Sequence, residues 1–131
     1  MLLTLIVLLA LAGCVTPPPA TIPPDLDTYS GLAAALAEID AGGTVVFLYD
    51  VRTPEEYISG HIPGAINVPV SEIPKGIPRK LKHQPVVVYC QAGGRAMMAS
   101  TALTDKGFTN VANFSSVANW EGALVTGPDP R

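Results

Sequence analysis

Two short apolar runs rich in β-branched residues dominate the hydrophobic pattern of the chain. One covers residues 44–50 (TVVFLYD) and the other covers residues 86–90 (VVVYC). Continuous apolar character, without polar alternation, is typical of strands that are buried on both faces of a parallel sheet. We expect these runs to form the centre of such a sheet, with shorter strands around residues 65–68 and 108–114.

Helical periodicity predicts one helix before the first run and another after the second. The first covers residues 31–40, with Ser30 suited to cap its N-terminus, and the second covers residues 95–106. In the second helix we expect apolar side chains to face the core, Met97 or Met98 among them, since methionine fills irregular gaps. Helices that alternate with buried strands indicate an α/β domain.

A third, shorter helix is predicted by a capping signal after the first strand. Thr53 suits the N-cap, Pro54 suits the first helical position, and Glu56 follows three residues after the cap. No hairpin signal links any two of the predicted strands. We therefore predict an open, mostly parallel sheet of about five strands flanked by helices, with Trp120 closing the core.

The length and charge of the chain limit its organisation and its partners. A chain of 131 residues accommodates one domain of ordinary size, which we place at residues 28–126, with a short tail at 127–131. The net charge of -3 and the lack of a basic stripe argue against nucleic-acid binding. We expect a monomer that needs no cofactor and no metal.

The first residues predict an export signal. Residues 2–12 are almost entirely apolar, too short to cross ~30 Å of hydrocarbon as a helix, and suited to the core of a signal peptide. Residues 11–14 (LAGC) resemble a bacterial lipobox, in which the cysteine, here Cys14, receives a diacylglycerol. We predict a lipoprotein signal peptide at residues 1–13. An uncleaved short anchor and an ordinary secretory signal are the alternatives.

Residues 14–27 are then the lipidated cysteine and a proline-rich linker, which we expect to be an extended spacer. The protein is thus expected to be exported and lipid-anchored in the bacterial cell envelope, on the periplasmic face. Cys90 becomes the single thiol of the exported domain, so no internal disulfide is possible. Such a cysteine is either buried and inert or kept for chemistry.

The position of Cys90 favours chemistry. It ends the second apolar run and is followed by Gly93, Gly94 and Arg95, a glycine turn into the predicted helix. The N–H groups of such a turn and the positive end of the helix stabilise an anion, including a thiolate. Cys90 is therefore a candidate nucleophile, with Arg95 close enough to add charge. The alternative is an inert core cysteine followed by a generic turn.

Basic residues gather in one stretch of the chain. Half of the eight cations lie in it, namely Lys75, Arg79, Lys80 and Lys82. They predict either a solvated surface or a basic rim that concentrates anionic substrates at the mouth of the site.

Three stretches together carry a family resemblance: residues 50–57 (DVRTPEEY), 60–69 (GHIPGAINVP) and 87–95 (VVYCQAGGR). The chain closely resembles the rhodanese (sulfurtransferase) domain from about residue 29 to 125. The resemblance implies an open α/β fold with a central parallel sheet. It also implies that Cys90 takes a sulfane sulfur as a persulfide from a donor such as thiosulfate. The acceptor would be thiophilic, cyanide in the test tube and a thiol in the cell.

The resemblance also assigns roles to the residues around Cys90. The substrate-binding loop would cradle the persulfide with its backbone amides and consists of Gln91, Ala92, Gly93, Gly94 and Arg95. The residues that would join the surrounding loops or shape a turn are Asp50, Arg52 and His61. Gln91 is neutral where many members carry a cation, which leaves the donor open. Ser115 and Ser116 stand where members often have glycines.

Two other functions stay open. Protein tyrosine phosphatases also place a cysteine and an arginine around an anion site, but their loop is longer than the four residues between Cys90 and Arg95. The shorter loop fits one extra sulfur atom better than a phosphate, so sulfur transfer is favoured. A noncatalytic rhodanese-fold binding module anchored in the envelope is the second alternative.

Overall fold

The computed structural model describes residues 25–42, 45–77 and 82–129. The predicted signal peptide, Cys14 and most of the linker lie outside these ranges, as do Arg79 and Lys80. Within them, no helix is long and apolar enough to span a membrane. In chain order the helices and strands are α1 (Tyr29–Asp40), β1 (Phe47–Asp50), α2 (Pro54–Ser59), β2 (Ile66–Asn67), β3 (Val86–Cys90), α3 (Gly94–Asp105) and β4 (Val111–Ser116).

The strands form one parallel sheet in the order β2-β1-β3-β4. This confirms the predicted open α/β sheet, with four strands in the described ranges where about five were expected. Phe47 pairs with Val86, and Val86 with Val111, at the edge where the strands begin. Cys90 pairs with Ser116 at the edge where they end. The loop after Cys90 therefore opens at the carboxyl edge, where ligands bind in open α/β sheets.

Helices cover both faces of this sheet. Side chains alternate along β3, so Val86, Val88 and Cys90 face one layer while Val87 and Tyr89 face the other. The first layer is packed against α3, and the second against α1 and α2. All five side chains of β3 are at most 1% exposed, which explains why this run is continuously apolar.

The predicted capping residue is right for α2 and wrong for α1. Thr53 Oγ1 accepts from the Glu56 N–H at 3.3 Å, and the Glu56 carboxylate accepts from the Thr53 N–H at 2.9 Å, which completes the capping box. The helix α1 begins earlier than predicted, because Thr28 is its N-cap and accepts from the Gly31 N–H at 3.2 Å. Ser30 lies inside the first turn.

The last strand lies later in the chain than predicted. It covers Val111–Ser116 rather than residues 108–114, because Phe108 closes the preceding helix. Phe108 is buried and its N–H donates to Leu103 O at 3.1 Å. A register shift opposite Val88 and Tyr89 inserts one extra residue into β4 and increases its local twist.

The inward orientation expected for Met97 or Met98 is wrong. Their side chains are 66% and 63% exposed. The helix α3 faces the sheet with Ala96, Ala99 and Leu103, which are fully buried at helical spacing. That spacing leaves the two methionines on the solvent side.

The residues after β4 pack back on the domain. Trp120 is half-buried against the α1 layer, and its ring lies edge-on to Tyr29 with centroids 5.0 Å apart. Trp120 thus helps to close the core as predicted. In the predicted tail, Asp129 Oδ2 accepts a hydrogen bond from the Asn67 N–H at 2.9 Å.

The described lysines of the basic stretch do not form a rim around Cys90. Lys82 Nζ donates to Lys106 O at 2.8 Å, and Lys106 Nζ donates to Pro74 O at 3.0 Å. Lys82 precedes β3 and Lys106 follows α3, so both lie where the strands begin. Lys75 follows Pro74 directly and is exposed. Of the two interpretations left open, these residues therefore fit the solvated surface and not the basic rim.

We expect Leu103→Ala to lower the free energy of unfolding by about 2–5 kcal/mol, because it leaves a cavity beneath α3. The matched change Met97→Ala on the same helix should alter it by less than about 0.5 kcal/mol, because that side chain contacts mainly solvent. Urea denaturation followed by circular dichroism measures both. Equal losses would contradict the orientation of α3.

Candidate active site

Cys90 lies at the head of a backbone turn. The residue is 1% exposed, and its Sγ accepts a hydrogen bond from the Gly93 N–H at 3.0 Å. The helix α3 begins at Gly94, directly after this turn, so its positive end lies beside the sulfur. A backbone N–H and the positive end of a helix are thus directed at the sulfur, an arrangement that suits a cysteine acting as a nucleophile.

Gly93 gives this turn its shape. Its φ of +103° lies in a region that glycine adopts readily and other residues adopt at a cost. A Cβ at this position would stand 2.6 Å from Ser115 Oγ. Glycine is therefore required by the backbone conformation and also by the close approach of β4.

A buried ion pair fastens the loops next to Cys90. Asp50 and Arg52 are 0% and 4% exposed, and Arg52 Nε donates to Asp50 Oδ1 at 2.9 Å. Arg52 Nη2 donates to Gly60 O at 2.7 Å, and Asn67 Nδ2 donates to the backbone carbonyls of Asp50 and Arg52. Burial opposes the charge of Arg52, but the hydrogen bonds and negative charge of Asp50 outweigh it and raise the pKa of Arg52. These contacts fit the joining role that the resemblance implied.

Gln91 links this ion pair to the loop. Its Oε1 accepts a hydrogen bond from Arg52 Nη1 at 3.3 Å, while Nε and Nη2 of the same guanidinium bond to Asp50. The Gln91 side chain is exposed at the mouth of the site. The first residue after Cys90 is thus a neutral amide in contact with an arginine that is already paired.

His61 is held by packing. Its side chain is buried, its Nδ1 lies 2.8 Å from Tyr57 O, and its ring stacks on that of Tyr57 with centroids 3.6 Å apart. Its backbone exchanges two hydrogen bonds of 2.9 Å with Val125. These contacts fit the turn-shaping role that the resemblance implied for His61.

The guanidinium of Arg95 pairs with Glu56 instead of standing free beside Cys90. Nη1 donates to Glu56 Oε2 at 2.6 Å and Nη2 donates to Oε1 at 2.8 Å, which joins α3 to α2. The hydrogen bonds from Arg95, and after them the Thr53 N–H, lower the pKa of Glu56 to about 2. The same pairing raises the pKa of Arg95. The charge that Arg95 was expected to add to the loop is therefore largely neutralised.

Sequence patterns do not predict the roles of three residues at the site. Glu56 was recognised only as a capping residue, Asn67 only as part of a motif and Ser116 only as a departure from the family. Each bonds to a residue distant in the chain, 39, 17 and 25 positions away respectively. Local patterns carry no signal for such contacts. The one available signal was a polar side chain at the end of a strand, as at Asn67 and Ser116.

The model of one protein family, the rhodanese-like domain, matches residues 32–122. The chain belongs to the rhodanese-like domain family. Among relatives of this rhodanese-like chain, the thiosulfate sulfurtransferase PspE of Escherichia coli (strain K12) is 41% identical over 66 residues, or 49% of this chain and 64% of PspE. A sulfurtransferase of Allochromatium vinosum is 38% identical over 87 residues, or 64% of this chain and 81% of that protein.

Solved structures agree with this membership. A structure described as rhodanese with anions from E. coli is 33% identical and superimposes with a TM-score of 0.57, covering 63% of this chain and 100% of that one. A human single-domain sulfurtransferase is 27% identical with a TM-score of 0.62, covering 71% of this chain and 91% of that one. The rhodanese fold and the sulfurtransferase names of the relatives support sulfur transfer as the class of activity.

We expect Glu56→Gln to destabilise the protein at neutral pH and to have no effect in strong acid. The pKa of Glu56 is lowered from 4.5 to about 2 in the folded protein, so its contribution is complete above pH 4.5 and is lost as the pH falls through about 2. Because the pair is partly exposed, we expect a difference of about 1 kcal/mol. Urea denaturation at neutral and strongly acidic pH measures it. A difference that persisted in strong acid would contradict the lowered pKa.

Proposed function

We propose that the chain is a sulfurtransferase that carries a sulfane sulfur on Cys90. The observation that supports this most directly is the strand-end thiol, whose Sγ accepts the Gly93 N–H at 3.0 Å beside the first turn of α3. Donors fixed in this way stabilise a negatively charged sulfur in both states of a carrier, the thiolate and the persulfide. The sulfurtransferase relatives support the same activity.

The proposed reaction consists of two displacements. The Cys90 thiolate attacks the outer sulfur of the donor, and the new S–S bond forms as the donor's own bond to that sulfur breaks. The electron pair leaves with the donor remnant, which is sulfite when the donor is thiosulfate. An acceptor thiolate then attacks the terminal sulfur of the persulfide, and the electron pair of the broken S–S bond returns to Sγ. The acceptor leaves as a persulfide, or as thiocyanate when it is cyanide.

Two observations favour sulfur over phosphate as the transferred group. Four residues separate Cys90 from Arg95, which makes a short loop. Both terminal nitrogens of Arg95 are held by Glu56. A cysteine-dependent phosphatase needs a guanidinium that grips phosphate oxygens in bidentate fashion, and here that geometry is used by a carboxylate.

The charge of the site bears on the donor. Arg52 is paired with Asp50, Arg95 is paired with Glu56, and Gln91 is neutral. These side chains therefore attract a doubly charged donor weakly, and anion binding depends mainly on backbone N–H groups. We propose that thiosulfate is accepted and that a sulfane donor of lower charge, such as an organic persulfide, is used more efficiently. The acceptor in the cell is a thiol.

We also propose that Cys14 anchors the domain to the periplasmic face of the cell envelope. Residues 25–27 border a cleft with residues 109–113, at the edge of the sheet where the strands begin. Residues 25–27 thus lie nearer to the start of β4 than to its end, where Ser116 pairs with Cys90. This entry point supports an arrangement in which the Cys90 loop faces away from the membrane.

We expect thiosulfate to add one sulfur atom to Cys90, detected as a mass gain of the intact protein. Cys90→Ser should show no adduct and lose at least about 1,000-fold in kcat/KM, because the nucleophile is absent. Met97→Ala serves as the control, since its side chain is exposed on the far side of α3.

The rival functions predict different outcomes of the same assay. If no sulfane donor modifies the wild type, the proposal fails and the noncatalytic binding module is favoured. In that case a Cys90→Ser strain should keep the wild-type phenotype. Hydrolysis of an aryl phosphate that depends on Cys90 would favour the phosphatase instead.

We expect Gln91→Arg to raise kcat/KM for thiosulfate by about fivefold at low ionic strength, because one exposed charge contributes roughly 1 kcal/mol. Gln91→Met, which has a similar length and no charge, should give no gain. The advantage of the arginine should shrink as salt is added, since salt screens exposed charges. A gain of equal size in both variants would show that charge at this position is irrelevant.

A further inference from the structure

Ser116 reaches the active-site loop because of the irregularity in β4. Before the register shift, Val88 pairs with Asn113, and a regular strand would bring Ser115 opposite Cys90. The extra residue makes Ser116 the partner of Cys90 instead. Ser115 takes a positive φ of 69° and its Oγ fills the space beneath Gly93. The bulge therefore turns two consecutive serines toward the loop that surrounds the thiol.

The hydrogen bonds of Ser116 have only one possible direction. Its Oγ lies 2.5 Å from the Gln91 backbone carbonyl, which only accepts, and 3.1 Å from the Ala118 N–H, which only donates. The single hydroxyl proton of Ser116 is therefore given to Gln91 O. Because the Ala118 N–H occupies a lone pair of the same oxygen, the hydroxyl is held from both sides.

This contact fixes the first peptide of the loop. A trans peptide is planar, so its carbonyl and its N–H point in opposite directions. When Ser116 holds the Gln91 carbonyl on the β4 side, the N–H of Ala92 is directed away from β4. The next N–H, that of Gly93, already donates to Cys90 Sγ. The orientation of the Gln91–Ala92 peptide therefore decides whether a second amide of the loop is available to the sulfur.

We infer that Ser116 is a positioning residue for sulfur transfer, which orients the Ala92 N–H toward the charged sulfur on Cys90. Ser116 itself does not touch the reacting atoms, and its effect passes through the peptide that it holds. This inference rests on the proposed function, because the persulfide is the species that the second amide stabilises. It goes beyond the motif of the loop, because Ser116 lies 25 positions after the residue that it orients.

The test compares Ser116→Ala, Ser116→Thr and Thr104→Ala. The Ser116 backbone is extended (φ -126°, ψ 140°), which alanine and threonine adopt without strain, and threonine keeps the hydroxyl. Thr104 is the matched control, since its exposed hydroxyl also donates to a backbone carbonyl, that of Ser100, near the far end of α3. Two quantities are measured: the rate of Cys90 alkylation by iodoacetamide, and the lifetime of the persulfide loaded from thiosulfate without acceptor. Thermal unfolding of each variant is recorded alongside.

We expect Ser116→Ala to slow alkylation and to shorten the persulfide lifetime by about three- to tenfold, the effect of one misdirected hydrogen bond. Ser116→Thr should restore both, and Thr104→Ala should change neither. Unchanged alkylation and lifetime in Ser116→Ala would overturn the inference and leave the proposed function intact. If the wild type forms no persulfide, the proposed function fails, and the alkylation rates alone still decide whether Ser116 orients the loop. If Ser116→Ala and Thr104→Ala lower the melting temperature equally but only Ser116→Ala slows alkylation, the slower alkylation is caused by the lost orientation of the loop and not by lost stability.

Discussion

The loops around the thiol depend on the buried pair of Asp50 and Arg52. Two charges in a protein interior are tolerated only where their polar atoms are satisfied, since the cost of desolvation can exceed the attraction between them. Here the remaining donors of Arg52 and the nearby carbonyls bond to Gly60, Asn67 and Gln91, which lie just after α2, at the end of β2 and just after β3, beside three different loops. The main effect of the pair is therefore to fix the positions of these loops relative to one another. Its net contribution to the free energy of unfolding is smaller.

Both arginines of the site are paired with a carboxylate. Arg95 is matched by Glu56, as Arg52 is matched by Asp50, and in both pairs the guanidinium is held by a carboxylate through more than one bond. Anion stabilisation is thereby left to groups without net charge, namely the amide of Gly93 and the first turn of α3. Such dipoles act at short range and depend on geometry, so small rotations of the backbone matter more here than distant surface charge.

The sequence was sufficient to predict the parts of the structure that local pattern determines. The continuous apolar run of β3, the glycine turn after Cys90 and the capping box of α2 each lie within a few residues, and each was found where it was expected. The exposure of Met97 was missed because an apolar side chain does not reveal which side of a helix it faces. The late start of β4 was missed because a buried apolar residue such as Phe108 can belong to a strand or can pack against the end of a helix, and the sequence does not distinguish the two.

The remaining misses have a common physical origin. The Glu56–Arg95 pair and the Ser116 contact join residues that only the folded sheet brings together, and a bulge that shifts register by one residue leaves no mark in composition. The family resemblance pointed to Cys90 and its loop because motifs record the outcome of folding at those positions, and the roles that it implies for these residues stay predictions. It was silent on Ser116, where the chain departs from the common pattern.

The sheet order makes the surroundings of the thiol depend on segments that are far apart in the chain. The contacts of Gln91 with Arg52 and with Ser116 span 39 and 25 positions of the chain. The strands β1 and β3 pair with each other although α2 and β2 lie between them in the sequence. Parallel sheets with such distant contacts fold slowly, because the entropy of closing a long loop is lost before the hydrogen bonds between the strands can offset it. The arrangement around Cys90 is complete only when β4 lies beside β3, because Ser116 of that last strand holds the Gln91 carbonyl. A chain in which β4 is not paired therefore lacks part of the geometry that surrounds the sulfur.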